Sequence, residues 1–61
     1  MAYVLLNKKT HKYFARENKF GVCVDVDTIE NAKRFETYTI AAYTECLLRD
    51  NNWYEIIKIN L

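Results

Sequence analysis

One stretch, Asp27 to Leu48, carries the only long helical signal in the 61 residues, and the runs on either side of it read as strands. Asp27 can cap a helix, with Glu30 three residues on in the place of a capping box. Ile29, Ala32 and Phe35 recur at spacing three and predict one apolar side of a short first helix. Thr37 offers a second cap before Tyr38. Ile40, Ala41, Thr44, Leu47 and Leu48 then make an apolar stripe at helical spacing. A helix with such a stripe needs a surface to cover, and flanking strands can supply one.

The strands are short and bounded by polar turns. Tyr3 to Asn7 is an apolar run, and Asn7 to Thr10 reads as a hairpin connection. Lys12 to Arg16 is the return strand, and Glu17 to Lys19 form a second polar turn with Gly21 as a bulge or tight bend. Val22 to Val26 alternates, so the three valines are expected on the core side and Cys23 and Asp25 away from it. After the helical region, Arg49 and Asp50 with the following Asn pair are expected to end the helix. Trp53 to Ile59 is the last strand, rich in aromatic and β-branched residues.

The order β-β-β-α(α)-β predicts a single α+β domain over residues 1–61. It has two layers: an antiparallel four-stranded sheet on one main helix, with the last strand beside the first. One helix cannot cover both faces of four strands. The second face is expected to carry Tyr3, Leu5, Tyr13, Cys23, Trp53 and Ile57 in some combination. An exposed apolar face of this kind marks a partner or self-association surface. Tyr3, Leu5, Tyr13, Trp53 and Ile57 are therefore the candidate interface. Lys12, Arg16, Lys33 and Arg34 are the candidate polar contacts to a partner or ligand.

Composition narrows the function classes. The apolar share of 51% and charged share of 28% are too apolar for disorder and too charged for a membrane span. Met1 to Leu6 is apolar but runs at once into Asn7, Lys8 and Lys9, unlike a signal peptide, so the expected setting is the cytoplasm. A net charge of +1 argues against a general nucleic-acid binder, which needs a basic excess to neutralise phosphates. Lys8, Lys9, His11, Lys12, Arg16 and Lys19 do crowd the first third. They read as a charged hairpin edge that deters strand pairing.

Catalytic chemistry finds little support. Asp25 and Asp27 lie two apart, but Asp27 is taken up as a cap. His11 with either cysteine lacks a third orienting group. Cys23 and Cys46 have no metal-ligand spacing and are expected as buried thiols, and His11 is the sole histidine, so neither a metal nor a cofactor is expected. Gly21 is alone, so there is no glycine-rich phosphate loop. Lys12, Tyr13, Phe14, Arg16, Lys19 and Phe20 interleave aromatic and basic groups, a pattern that can stack single-stranded bases. A pocket between protomers that sequesters a signalling nucleotide is a second alternative drawn from the same residues.

Asp27, Ile29, Ala32, Lys33, Arg34, Phe35, Tyr54, Glu55 and Ile56, with the hairpin opening, resemble a pattern in small phage and prophage proteins of low-GC Gram-positive bacteria. That pattern has an acidic-apolar helix start, Ala-Lys/Arg-Arg-Phe, a second helix, and a closing Tyr-Glu-Ile/Val strand. The resemblance implies a source class, and with it a mode of action: binding and disabling a host protein, including CRISPR and other defence systems. The leading expectation is accordingly a non-enzymatic, phage-derived inhibitor of a host protein acting in the host cytoplasm. It would act through a sheet face, a strand edge, or the Lys33/Arg34 side of the helix, with homodimer formation compatible.

Overall fold

A computed structural model describes residues 2–48 and 51–60. Four strands, β1 (Ala2–Asn7), β2 (Lys12–Glu17), β3 (Cys23–Val26) and β4 (Tyr54–Ile59), form one sheet in the order β3-β2-β1-β4. All neighbours are antiparallel, and β4 lies beside β1 as the sequence predicts. The one α-helix among the described residues, α1, spans Tyr38–Leu47. The protein is therefore a small α+β domain of one antiparallel sheet and one main helix.

Two turns explain the hairpins. Asn7 Oδ1 accepts from the backbone N–H groups of Lys9 and Thr10 at 2.9 and 3.2 Å. The turn closes through His11, which sits at φ 62°, a left-handed conformation uncommon outside Gly but enriched in Asn, Asp and His. In the second turn Asn18 Oδ1 accepts from Phe20 and Val22 at 2.8 and 3.0 Å. Gly21 at φ 77° makes that turn possible without a Cβ clash. Of the two roles expected for Gly21 it takes the tight bend, and a bulge lies in β2, between Phe14 and Arg16.

β1 and β2 pair only next to their turn, at Leu6–Tyr13 and Asn7–Lys12. Beyond that they splay, and residues 33–35 enter the gap. Tyr3 and Phe35 exchange both backbone hydrogen bonds at 2.9 and 2.8 Å, and the Lys33 N–H donates to the Phe14 carbonyl at 3.0 Å. This overturns the expected first helix. Residues 29–31 form only one 3-10 turn, Thr28 precedes it without a side-chain cap bond, and Ala32 is already extended. Asp27 does not cap; its carboxylate lies 3.6 Å from the exposed Lys12 ammonium. The physical reason is that the backbone of Phe35 finds a full set of partners on an open strand, which one helical turn cannot match.

The second predicted helix forms. Thr37 Oγ1 accepts from the Ile40 N–H at 3.1 Å, satisfying one of the donors that a helix start leaves unpaired. The helix gives way at Leu48, which is extended, with its N–H on the Glu45 carbonyl at 3.2 Å. The ending expected at Arg49 and Asp50 lies outside the described residues. A 3-10 turn over Asn51–Trp53 leads into β4.

The core lies between α1 and one face of the sheet. Leu5, Phe14, Phe35, Ala41, Leu48 and Tyr54 pack there, with Tyr3, Cys23 and Ile56 around them. Phe14 meets Tyr54 edge to face, centroids 6.0 Å apart. Register places Asp25 opposite Phe14, so Cys23 and Asp25 face the core. Val24 and Val26 face away with Tyr13, the reverse of the expected orientation. Alternation alone could not decide this, because it fixes which residues share a face but not which face is covered.

Candidate functional site

The expected uncovered sheet face is not what the fold leaves open. Leu5 is fully buried beneath α1, and Tyr3 is on the same side, with its ring edge-on to Tyr38 at 6.0 Å. Tyr13 and Ile57 do lie on the far face, and both are half-buried. Trp53 lies in the 3-10 turn before β4, with the Lys9 ammonium 4.1 Å from its ring centroid. The five candidate interface residues thus do not form one surface.

The far face also gains a cover that the sequence reading lacks. Val4 lies there, yet it is fully buried. Ala32 is buried and Ile29 half-buried, both outside the helix-side cluster. Both lie on the crossing 27–32, by which the chain passes from β3, at the sheet edge, to the gap beside β1. Strands β1 and β4 contribute no exposed large apolar residue to the far face among the described residues.

The large apolar groups that are exposed lie elsewhere. Phe20 and Val22 are at the β2–β3 turn; Ile40, Tyr43 and Leu47 are on α1 at 50%, 68% and 65% exposure. Ala41 and Leu48, seven residues apart, form the line by which α1 meets the sheet. Ile40 and Leu47 form a parallel line one residue earlier, about 100° around the helix. The stripe expected to face the core therefore splits. Small Ala41 lets the helix approach closely, and the neighbouring line stays in solvent with Tyr43 beside it. Cys46 is exposed as well, against the expected burial, and neither cysteine forms a disulfide.

The candidate polar residues are dispersed. Lys12 pairs with Asp27, and Arg16 stands opposite Val24 past the bulge. Lys33 and Arg34 are exposed on the extended segment rather than on a helix, with the Lys33 ammonium 5.7 Å from the Phe35 ring centroid. No constellation suited to catalysis arises from them.

One polar cluster is built inside. Tyr54 donates its hydroxyl to Asp25 Oδ1 at 2.7 Å, and Asn7 donates its side-chain amide to Asp25 Oδ2 at 3.1 Å. Burial first, and then the hydrogen bond to Asp25, holds the Tyr54 phenol far above the ordinary tyrosine range. A phenol so held stays protonated and serves as a donor. The cluster joins three strands and the first turn, which is a structural role. Sequence reasoning missed Asn7 and Tyr54 in it. They are 47 positions apart in the chain, and no local pattern links them.

Among the described residues no group of three metal-binding side chains and no pocket occurs. No helix among them is long and apolar enough to cross a membrane. No family model, curated protein or solved structure matches the chain.

Proposed function

We propose that this chain is a non-enzymatic binding protein that engages another protein through the outer line of α1, Ile40, Tyr43 and Leu47. The observation behind the reading is that three large apolar side chains stand in solvent at helical spacing. They lie on a helix that commits only Ala41 of its own length to full burial. Exposed apolar groups in a row cost solvation unless a partner groove receives them, and helix-in-groove recognition uses anchors at this spacing. Tyr43 supplies a large amphipathic surface of the kind enriched at binding hot spots. The resemblance to phage proteins gives the partner class, a host protein whose activity the complex would inhibit.

The test is affinity capture of the host partner by the wild type, compared with Tyr43→Ala and Leu47→Ala. A Phe20→Ala variant serves as a control at the other exposed apolar site. Loss of capture by both helix variants, with Phe20→Ala unaffected, is the expected result. Equal capture by all four chains would remove α1 as the binding surface.

A further inference from the structure

The free edge of the sheet at β4 can be read residue by residue. Tyr3 exchanges both of its backbone bonds with Phe35, on the β2 side of β1. Asn7 agrees, accepting the His11 N–H on that side at 2.7 Å. Backbone groups alternate in direction along an antiparallel strand. Ala2, Val4 and Leu6 therefore point at β4, and their opposite residues Ile59, Ile57 and Glu55 point back. The Lys8 N–H, which donates to the Trp53 carbonyl at 2.7 Å, follows the same parity. It follows that Ile56 and Lys58 turn their N–H and C=O groups out of the sheet, and no described backbone group meets them; the Tyr54 carbonyl turns out with them, while the Tyr54 N–H closes the 3-10 turn Asn51–Trp53.

The two edges differ in protection. β3 is four residues long, pairs with a bulged neighbour, and carries the inward-facing Asp25. β4 is six residues long with a regular register, and it lacks Pro, Gly and any bulge. Its two charges, Glu55 and Lys58, have opposite sign. Native proteins seldom leave such an edge unpaired.

We infer that β4 pairs antiparallel with β4 of a second copy of this chain, about a two-fold axis at Ile56. Four observations select a copy and this register. Two-fold pairing needs opposite residues of equal parity, which matches the outward set Tyr54, Ile56 and Lys58. Centring on Ile56 sets Tyr54 against Lys58 of the second copy and Glu55 against its Ile57, so no like charges face each other; centring on Glu55 or Lys58 would oppose them. The axis falls on an apolar residue. A net charge of +1 gives two copies almost no mutual repulsion. The product is a continuous eight-stranded sheet. Because the axis is normal to the sheet, both α1 helices lie on the same side of it. The pairing stands independently of the partner proposed for α1, and it would present that surface twice.

The test is amide hydrogen exchange on the full chain by NMR, from micromolar to millimolar concentration, alongside native mass spectrometry. The pairing predicts a dimer. It also predicts that the amides of Ile56 and Lys58 slow by at least about tenfold as concentration rises, while Glu55, Ile57 and Ile59 stay slow throughout. Lys58→Pro removes an outward N–H and leaves the β1–β4 bonds intact, so it should be monomeric where the wild type is dimeric. A monomer at every concentration overturns the inference. So does a dimer in which the Ile56 and Lys58 amides exchange fast, or a folded Lys58→Pro chain that dimerises like the wild type. If that variant does not fold, the exchange pattern of the unaltered chain decides.

Discussion

The hydroxyl of Tyr54, at the start of β4, donates to Asp25 of β3 at 2.7 Å, although β1 and β2 lie between those two strands. The Tyr54 ring spans the width by packing on Phe14, and its tip reaches the opposite edge strand. Asp25 also accepts from Asn7, whose own Oδ1 holds the first turn. A single carboxylate thus ties together both edges of the sheet and the hairpin between them.

Tyr54→Phe removes the donor and leaves one Asp25 oxygen half-buried without it. The expected cost is about 1–3 kcal/mol, read from urea unfolding with an unchanged m-value. Asp25→Asn should lose less, because an amide oxygen can still accept from Tyr54.

Alkaline pH should act through the same bond. The folded phenol ionises above the unfolded one, so its contribution is fully present below the unfolded value of about 10 and is lost as pH rises beyond it. Wild-type stability should therefore fall above about pH 10 more steeply than that of Tyr54→Phe. Parallel curves for the two proteins would remove the linkage.

Phe35→Ala tests the wedge between the splayed strands. Phe35 is buried in the core and bonded to Tyr3 through its backbone, so truncation leaves a cavity where β1 and β2 are not paired. A loss of about 3–5 kcal/mol is expected, enough to unfold a domain of this size. Ile40→Ala, on the exposed line of α1, should stay within about 0.5 kcal/mol.

Thr37→Ala removes the side-chain acceptor at the start of α1. With ten residues, the helix has little stability of its own and relies on its cap and its packing. The expected loss is about 1 kcal/mol, with helical circular dichroism falling at lower temperature than in the wild type.

The two left-handed turn positions should respond in opposite directions. Gly21→Ala forces a Cβ into φ 77° and should cost more than about 1 kcal/mol. His11→Gly relieves a residue held at φ 62° and should be neutral or stabilising. Both are read as shifts in the midpoint of thermal unfolding.

Local chemistry in the sequence determined the strands, their turns and the start of α1. Alternation, the Asn-rich turns, Gly21 and the Thr37 cap act over a few residues, and the structure follows them to within one or two positions. Tertiary partners decided the rest. Asp27 to Phe35 carries a helical spacing, but Phe35 found two backbone partners on Tyr3 and the segment opened into the sheet. The period of VCVDV is two in either orientation; the Tyr54–Asp25 bond and the Phe14 packing set which side became the core. Ile40 and Leu47 belong by spacing to the same stripe as Ala41 and Leu48, and only the close approach of α1 to β1 and β4 separated them. Spacing states which residues can act together. Which of them water reaches depends on contacts between positions far apart in the chain.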